Sequence, residues 1–206
     1  MPEAKRPFVL GITGTISSGK STVGKILQKR GIPVIDTDLV VHELFAADEA
    51  TKRAIVDQFG PVVMDENGGT TAVNRRKLGE LVFADAALRK KLEAIVHPNV
   101  ILACRRKVQT LAKEPIVAIL VPLLFEANLS GEYDEIWSVF TSEEILRKRL
   151  RERDKLSDAD IEQRLSAQLS QQEKAKRANQ VIDNSSSEAE TERQVNLLLD
   201  KILSTK

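Results

Sequence analysis

Cysteine is almost missing from this chain of 206 residues. The one thiol, Cys104, excludes an internal disulfide framework, and its apolar helical surroundings make it an inert buried side chain rather than a nucleophile. Net charge is nearly absent too. Lys and Arg number 31 against 30 Asp and Glu, a balance of +1, so whole-molecule attraction to nucleic acid or anionic lipid is not indicated. Any anion site must be local. Long apolar runs are lacking: Phe8 to Ile12 is too short for a signal peptide or a membrane span, and Ile116 to Phe125 is interrupted by Pro122. A cytoplasmic, reducing location is the expectation. There is no internal repeat, low-complexity tract or interdomain linker. What is present, 42% hydrophobic and 30% charged residues, matches one compact domain with a continuous core and lid-like insertions.

The apolar residues fall in short runs separated by amphipathic stretches. Phe8 to Ile12 reads as a strand, followed by a Gly/Ser/Thr loop and a helix from Lys20 with Val23, Ile26 and Leu27 on one face. Gly31 stops that helix, and Ile32 to Ile35 gives a second strand ending at Asp36. Further strands are predicted at Ile116 to Val121, Glu135 to Phe140 and Gln180 to Asp183. Capping-box spacings open helices at Thr141/Glu144, Ser157/Asp160 and Ser187/Glu190. Fully apolar short strands alternating with helices predict a parallel sheet covered on both faces. Two stretches interrupt the alternation. Residues 38 to 113 read as helices almost throughout, broken at Gly60-Pro61 and Asn67-Gly68-Gly69, and suit an acceptor-binding subdomain. Residues 154 to 177 are polar, helical and poor in core residues, and suit a mobile lid. Surface decoration is the alternative for both.

Gly14-Thr15-Ile16-Ser17-Ser18-Gly19-Lys20-Ser21 fits G-x-x-x-x-G-K-[ST] between a strand and a helix. Successive backbone N–H groups in such a loop cradle phosphate oxygens, and the helix N-terminus adds positive potential. Lys20 would reach the β- and γ-phosphates and the Ser21 hydroxyl would ligate Mg²⁺. No Asn-Lys-x-Asp guanine reader is present, so a switch GTPase is not indicated. A mechanical ATPase would end a strand in acidic residues, whereas Ile116 to Val121 is followed by Pro122-Leu123-Leu124-Phe125-Glu126, which delays the carboxylate.

Asp36-Thr37-Asp38 follows the second strand, at the carboxyl edge where open α/β sheets bind ligands. One carboxylate could accept the proton of an alcohol during phosphoryl transfer. The alternative is that Asp38 caps the helix from Leu39 and Asp36 merely ends the strand. Arg147, Arg149, Arg151 and Arg153 alternate along one helix, with Arg149 and Arg153 on a shared face. They clamp a triphosphate, or form a solvated face paired with Glu144, Glu152 and Asp154. His42 either borders the acceptor cleft or lies on a helix surface. His97, before Pro98, suits a hydrogen bond at a helix junction, and two histidines without a Cys partner make a poor metal site.

These residues resemble the dephospho-coenzyme A kinases along nearly the whole chain. The matching pieces are Thr13 to Thr22, Val34 to Asp38 with His42, Asn74-Arg75 with Leu78, Val82-Phe83, His97-Pro98, Val121 to Glu126, Arg149 and Arg153 with Asp154, Gln168, and Val181 to Asn184. The resemblance implies a P-loop NTPase-type parallel sheet flanked by helices, with a helical acceptor subdomain and a helical lid. The core would be 7–37, 114–146 and 178–206, the acceptor subdomain about 38–113 and the lid about 147–177. It implies transfer of the ATP γ-phosphate to the ribose 3′-hydroxyl of dephospho-coenzyme A, the last step of coenzyme A synthesis, with Mg²⁺ on Ser21. In this pattern the phosphate cradle spans Gly14 to Thr22, Asp36 and Asp38 stand beside the acceptor hydroxyl, and Arg153 is the lid arginine. Arg149 and Asn184 face the nucleotide, while His42, Arg75, His97 and Glu126 contact the acceptor. No nucleic-acid or membrane partner is implied, and the expected state is a monomer or weak homo-oligomer. Departures are Thr15 and Ser17 where the family usually has glycine, which predicts a stiffer loop or a different path. Leu146, Asn179 and Ser186 also stand where glutamine, aspartate and glycine are common. Another P-loop kinase, or a nucleotide-dependent switch, are the competing readings.

Overall fold

The apolar runs become β1 (Phe8–Thr13), β2 (Val34–Asp36), β3 (Ile116–Leu120), β4 (Glu135–Phe140) and β5 (Gln180–Asp183). The computed structural model describes residues 6–65, 72–152 and 154–205, apart from the side chains of Phe83 and Ala84; the predicted break at Asn67-Gly68-Gly69 lies outside the described residues. All five strands pair in parallel, in the order β2-β3-β1-β4-β5. A parallel sheet needs cover on both faces, and every residue of β3 is buried. β2 begins two residues later than the sequence suggests. The Ile32 N–H instead closes the preceding helix on Leu27 O at 3.0 Å, and Pro33 has no N–H to offer a neighbouring strand.

Helix α1 (Lys20–Lys29) follows β1, and the chain closes with α9 (Glu188–Ser204). Val23, Ile26 and Leu27 of the first and Val195, Leu199 and Ile202 of the second join Leu10, Ile12, Trp137 and Ile182 in one core. Each fully buried aliphatic side chain there contributes roughly 1.5–3 kcal/mol. Between β4 and β5 run α6 (Glu143–Glu152), α7 (Asp158–Ser166) and α8 (Gln171–Arg177). Of the three capping-box spacings, Ser157/Asp160 is complete at α7. At α9, Ser187 accepts from the Glu190 N–H, but the Glu190 carboxylate turns to Arg193. At α6 the spacing misleads. Thr141 is buried and its hydroxyl donates to Asn184 O, so the helix starts at Glu143 and the Ser142 hydroxyl accepts from the Ile145 N–H.

By compactness the chain divides into one unit of Met1–Asp36 with Val108–Lys206 and a second of Thr37–Lys107. The second unit contains α2 (Thr37–Ala47), α3 (Glu49–Phe59), α4 (Arg75–Ala84) and most of α5 (Ala86–Thr110). Gly60, at φ +80°, breaks the chain after α3, as its pairing with Pro61 suggests. Asp48 and Asn74 cap α3 and α4 by accepting from the Thr51 and Lys77 N–H groups at 2.8 and 2.9 Å. This unit has its own core, built on Phe45, Ile55, Val63, Val73, Leu78 and Val96. Cys104 is buried here, and burial pushes its thiol up to about 11, which suppresses the reactive anion at neutral pH.

Candidate phosphate-binding site

Five parallel strands place all their carboxyl ends on one edge of the sheet. The chain leaves β1 towards β2 and leaves β4 towards β5, so the topological switch point lies between β1 and β4, where open α/β sheets bind ligands. The loop after β1 sits at that point. A Cβ on Gly14 (φ +151°) would lie 2.6 Å from the Val139 carbonyl oxygen, and one on Gly19 (φ +108°) would lie 1.8 Å from Asn184 Nδ2. Only glycine permits either approach. Gly19 is the N-cap of α1, which has no side-chain cap and no acidic residue in its first turn. That end presents backbone donors and positive potential to an anion. Lys20 folds back over the loop, its ammonium donating to Gly14 O at 2.9 Å and Thr15 O at 2.8 Å. Ser21 is exposed on the first turn, and the Thr22 N–H donates to Gly19 O at 2.9 Å. The hydroxyls of Thr15 and Ser18 are buried in the loop with no hydrogen-bond partner among the described residues.

The loop is held from three sides. Buried Asn184 donates from Nδ2 to Ser18 O at 2.8 Å, and its Oδ1 accepts from the Thr191 hydroxyl at 2.9 Å. Arg149 donates to Ser17 O, Ser18 O and Asn184 O at 3.3, 3.4 and 3.2 Å. Its neighbours do not join it. Arg147 pairs with Glu143 and Glu162, and Arg151 with Asp158. Arg149 thus lies against the loop, while Arg147 and Arg151 form the solvated face the sequence allowed, with Glu143, Glu162 and Asp158 as their partners in place of the Glu144, Glu152 and Asp154 expected. On the third side the Ile16 N–H donates to Gln168 Oε1 at 3.2 Å and the Ser17 hydroxyl to Asp154 Oδ2 at 2.9 Å. Ser17 holds φ +59°. A non-glycine residue there costs roughly 1–2 kcal/mol, so the loop keeps the backbone turn a glycine would take.

The sequence model of one family, described as dephospho-CoA kinase, matches residues 8–190. The chain belongs to the dephospho-CoA kinase family. A dephospho-CoA kinase from Symbiobacterium thermophilum is 42% identical over 189 residues, covering 91% of this chain and 78% of that protein. A crystal structure of a Thermus thermophilus protein superposes with a TM-score of 0.81 at 35% identity, covering 96% of this chain and 98% of the other. The dephospho-CoA kinase from Campylobacter jejuni gives 0.61 at 26% identity, covering 94% and 96%.

The residues singled out from the family pattern fall in different places. Asp36 ends β2 on the same sheet edge as the phosphate loop, in register with Leu120 of β3. Asp38, His42, Arg75 and His97 lie in the second unit, Asp38, His42 and Arg75 exposed and His97 half-buried on α5 beside Pro98. Asp38 does not cap a helix at Leu39, because α2 already begins at Thr37 and Asp38 stands inside its first turn. Glu126 uses both oxygens within the first unit. One accepts from the Leu169 N–H at 2.9 Å and the other from the ammonium of Lys174 at 2.9 Å. Lys174 is fully buried and also donates to Pro122 O at 2.8 Å. Arg153 lies outside the described residues.

Four supporting residues were not singled out from the sequence. Gln171 clasps Thr141 through both its N–H and its carbonyl, Thr191 orients Asn184, and Lys174 anchors Glu126. Ile161 is buried with Leu146 and Leu150, so the polar stretch 154–177 has an apolar anchor that its composition hides. Only Ile161 offered a signal, as the apolar residue one turn into a well-capped helix.

Proposed function

We propose that this chain transfers the γ-phosphate of ATP to the ribose 3′-hydroxyl of dephospho-coenzyme A, giving coenzyme A and ADP. The observation that carries this reading is the ammonium of Lys20, pre-positioned on two carbonyls of a glycine-hinged phosphate loop in a chain of the dephospho-CoA kinase family. In the transfer, the acceptor oxygen bonds to the γ-phosphorus as the bond to the β–γ bridging oxygen breaks, and the hydroxyl proton goes to a carboxylate. Asp36 is the proposed base, because a strand end holds it rigidly on the sheet edge that carries the loop; Asp38 is the other candidate. Backbone N–H groups from Gly14 to Thr22 cradle the phosphates and Lys20 offsets charge on the β- and γ-oxygens. Arg149 and Asn184 serve the nucleotide side of the loop, and Arg153 the developing charge. Acceptor contacts fall to His42, Arg75, His97 and Glu126.

The residues present suit Mg²⁺. Ser21 offers one exposed hydroxyl oxygen at the start of α1, and this ion usually takes one or two protein oxygens, the remainder coming from phosphates and water. When bound, it would offset negative charge on the ATP phosphates.

The test is coupled ADP release with dephospho-coenzyme A, with ATP omitted in one control and acceptor in another. ADP release that requires both substrates is expected. Release that ignores dephospho-coenzyme A, or proceeds equally with nucleoside monophosphates, rejects the assignment.

A further inference from the structure

Asn184 follows β5, and each of its polar atoms is bonded. Its backbone N–H donates to Phe140 O at 2.7 Å, and its carbonyl accepts from the Thr141 hydroxyl and Arg149 at 3.1 and 3.2 Å. The main chain is held, so what is left to settle is which way the side-chain amide faces. Nδ2 donates to Ser18 O at 2.8 Å, and Oδ1 accepts from the Thr191 hydroxyl at 2.9 Å. The amide rests directly on the loop, since a Cβ on Gly19 would lie 1.8 Å from Nδ2. Thr191, in the first turn of α9, is fully buried. Its one hydroxyl proton has a second acceptor in Ser187 O, but at 3.3 Å that bond is the longer and weaker of the two. A trans peptide points its C=O and N–H in opposite directions, and no peptide bond of the described residues is cis. Holding the Ser18 oxygen from the Asn184 side therefore turns the Gly19 N–H the other way. Were the amide to turn over, Oδ1 would face the Ser18 oxygen, two acceptors with no proton between them.

We propose that Thr191 is a positioning residue for phosphate binding: its hydroxyl locks the Asn184 amide, the amide fixes the Ser18–Gly19 peptide, and the Gly19 N–H is thereby aimed at the phosphates of the nucleotide. Thr191 touches no substrate and acts through Asn184. Arg149 also reaches Ser18 O, at 3.4 Å, so loss of the hydroxyl loosens this peptide rather than freeing it, and the effect is graded. Valine has the shape of threonine but leaves the buried Oδ1 without its donor. The inference rests on the loop being the ATP site.

Calorimetric titration with Mg²⁺ and a non-hydrolysable ATP analogue tests it on the wild type, Thr191→Val, Thr191→Ser, Asn184→Ala and the Asn184→Ala/Thr191→Val double variant. Thr191→Val is expected to weaken Kd by about three- to tenfold, the net contribution of one hydrogen bond, and Thr191→Ser to stay within about twofold of wild type. In the Asn184→Ala background the valine should weaken binding no further, as for a residue that acts only through its neighbour. In amide NMR spectra the Gly19 proton should move downfield when the wild type binds the analogue and move less in Thr191→Val, a signature that lost packing alone would not give. Thr191→Ala, which favours a helix, carries the same reading should the valine not fold. Wild-type affinity in Thr191→Val with only a lower melting temperature, no recovery in Thr191→Ser, or an equal loss on top of Asn184→Ala would overturn the proposal. A wild type that fails to bind the analogue would instead sink the ATP-site reading itself.

Discussion

The ammonium of Lys20 is bonded to two carbonyls of the loop it serves, so its position is set by the fold before any phosphate arrives. Charge fixed in advance stabilises a transition state without reorganisation at the moment of reaction. Lys20→Ala should therefore lower turnover by about a hundredfold or more, on the order of 3 kcal/mol, with a melting temperature near wild type. Near wild-type turnover in the folded variant would remove Lys20 from the mechanism. The two aspartates separate at this scale as well. Asp36 terminates a paired strand, whereas Asp38 is exposed in the first turn of α2, where a carboxylate contributes about 0.3–1 kcal/mol through the helix dipole. Asp36→Asn should lower turnover by roughly two to four orders of magnitude with ATP affinity little changed. Asp38→Asn should show a smaller kinetic effect and a small drop in melting temperature. If both retain wild-type turnover, no carboxylate base operates and transfer depends on positioning and charge neutralisation.

Among the elements, α6 and α7 show how one polar surface divides its tasks. Arg147 and Arg151 pair with carboxylates along and between these helices, while Arg149 turns to the loop. Helix α7 is held by its complete capping box and by buried Ile161. A helix of nine residues is marginal without such ends. Ser157→Ala should remove about 1 kcal/mol of local helix stability. The measurable result is amide exchange about fivefold faster across 158–166, with little change in the global transition because the main core lies elsewhere. Equal protection in the variant would show that packing of Ile161 carries the helix by itself. At α9 and α6 the same spacing in the sequence produced half a box and none, since Glu190 and Thr141 found stronger partners in space.

Over the whole molecule, the ion pair of buried Lys174 with the partly exposed Glu126 ties the residues after β3 to those before β5 within the first unit. Burial lowers the pKa of Lys174 and Glu126 pulls it back up. The folded value therefore lies below the ordinary 10.5, the unfolded chain binds more protons just under that pH, and stability rises with pH through that window. Glu126→Gln removes the opposing pull. It should cost about 2–3 kcal/mol at neutral pH, less than for a fully buried pair, because the Glu126 side chain keeps 19% of its exposure. Urea unfolding at two pH values checks this, with the deficit expected to shrink as the pH approaches the lysine's ordinary range. A raised acceptor KM with unchanged stability would assign Glu126 to the acceptor instead. The strands, the helical stretch read from residue 38 and the phosphate loop were legible in the sequence, because apolar periodicity and glycine spacing act over a few neighbouring residues. The strand order, the choice of Arg149 over Arg147 and Arg151, and the burial of Lys174 were not. Asn184 meets Ser18 across 166 residues and Asp154 meets Ser17 across 137. The tertiary structure alone decided such pairs, because only packing of the sheet and its helices brings together side chains so far apart along the chain.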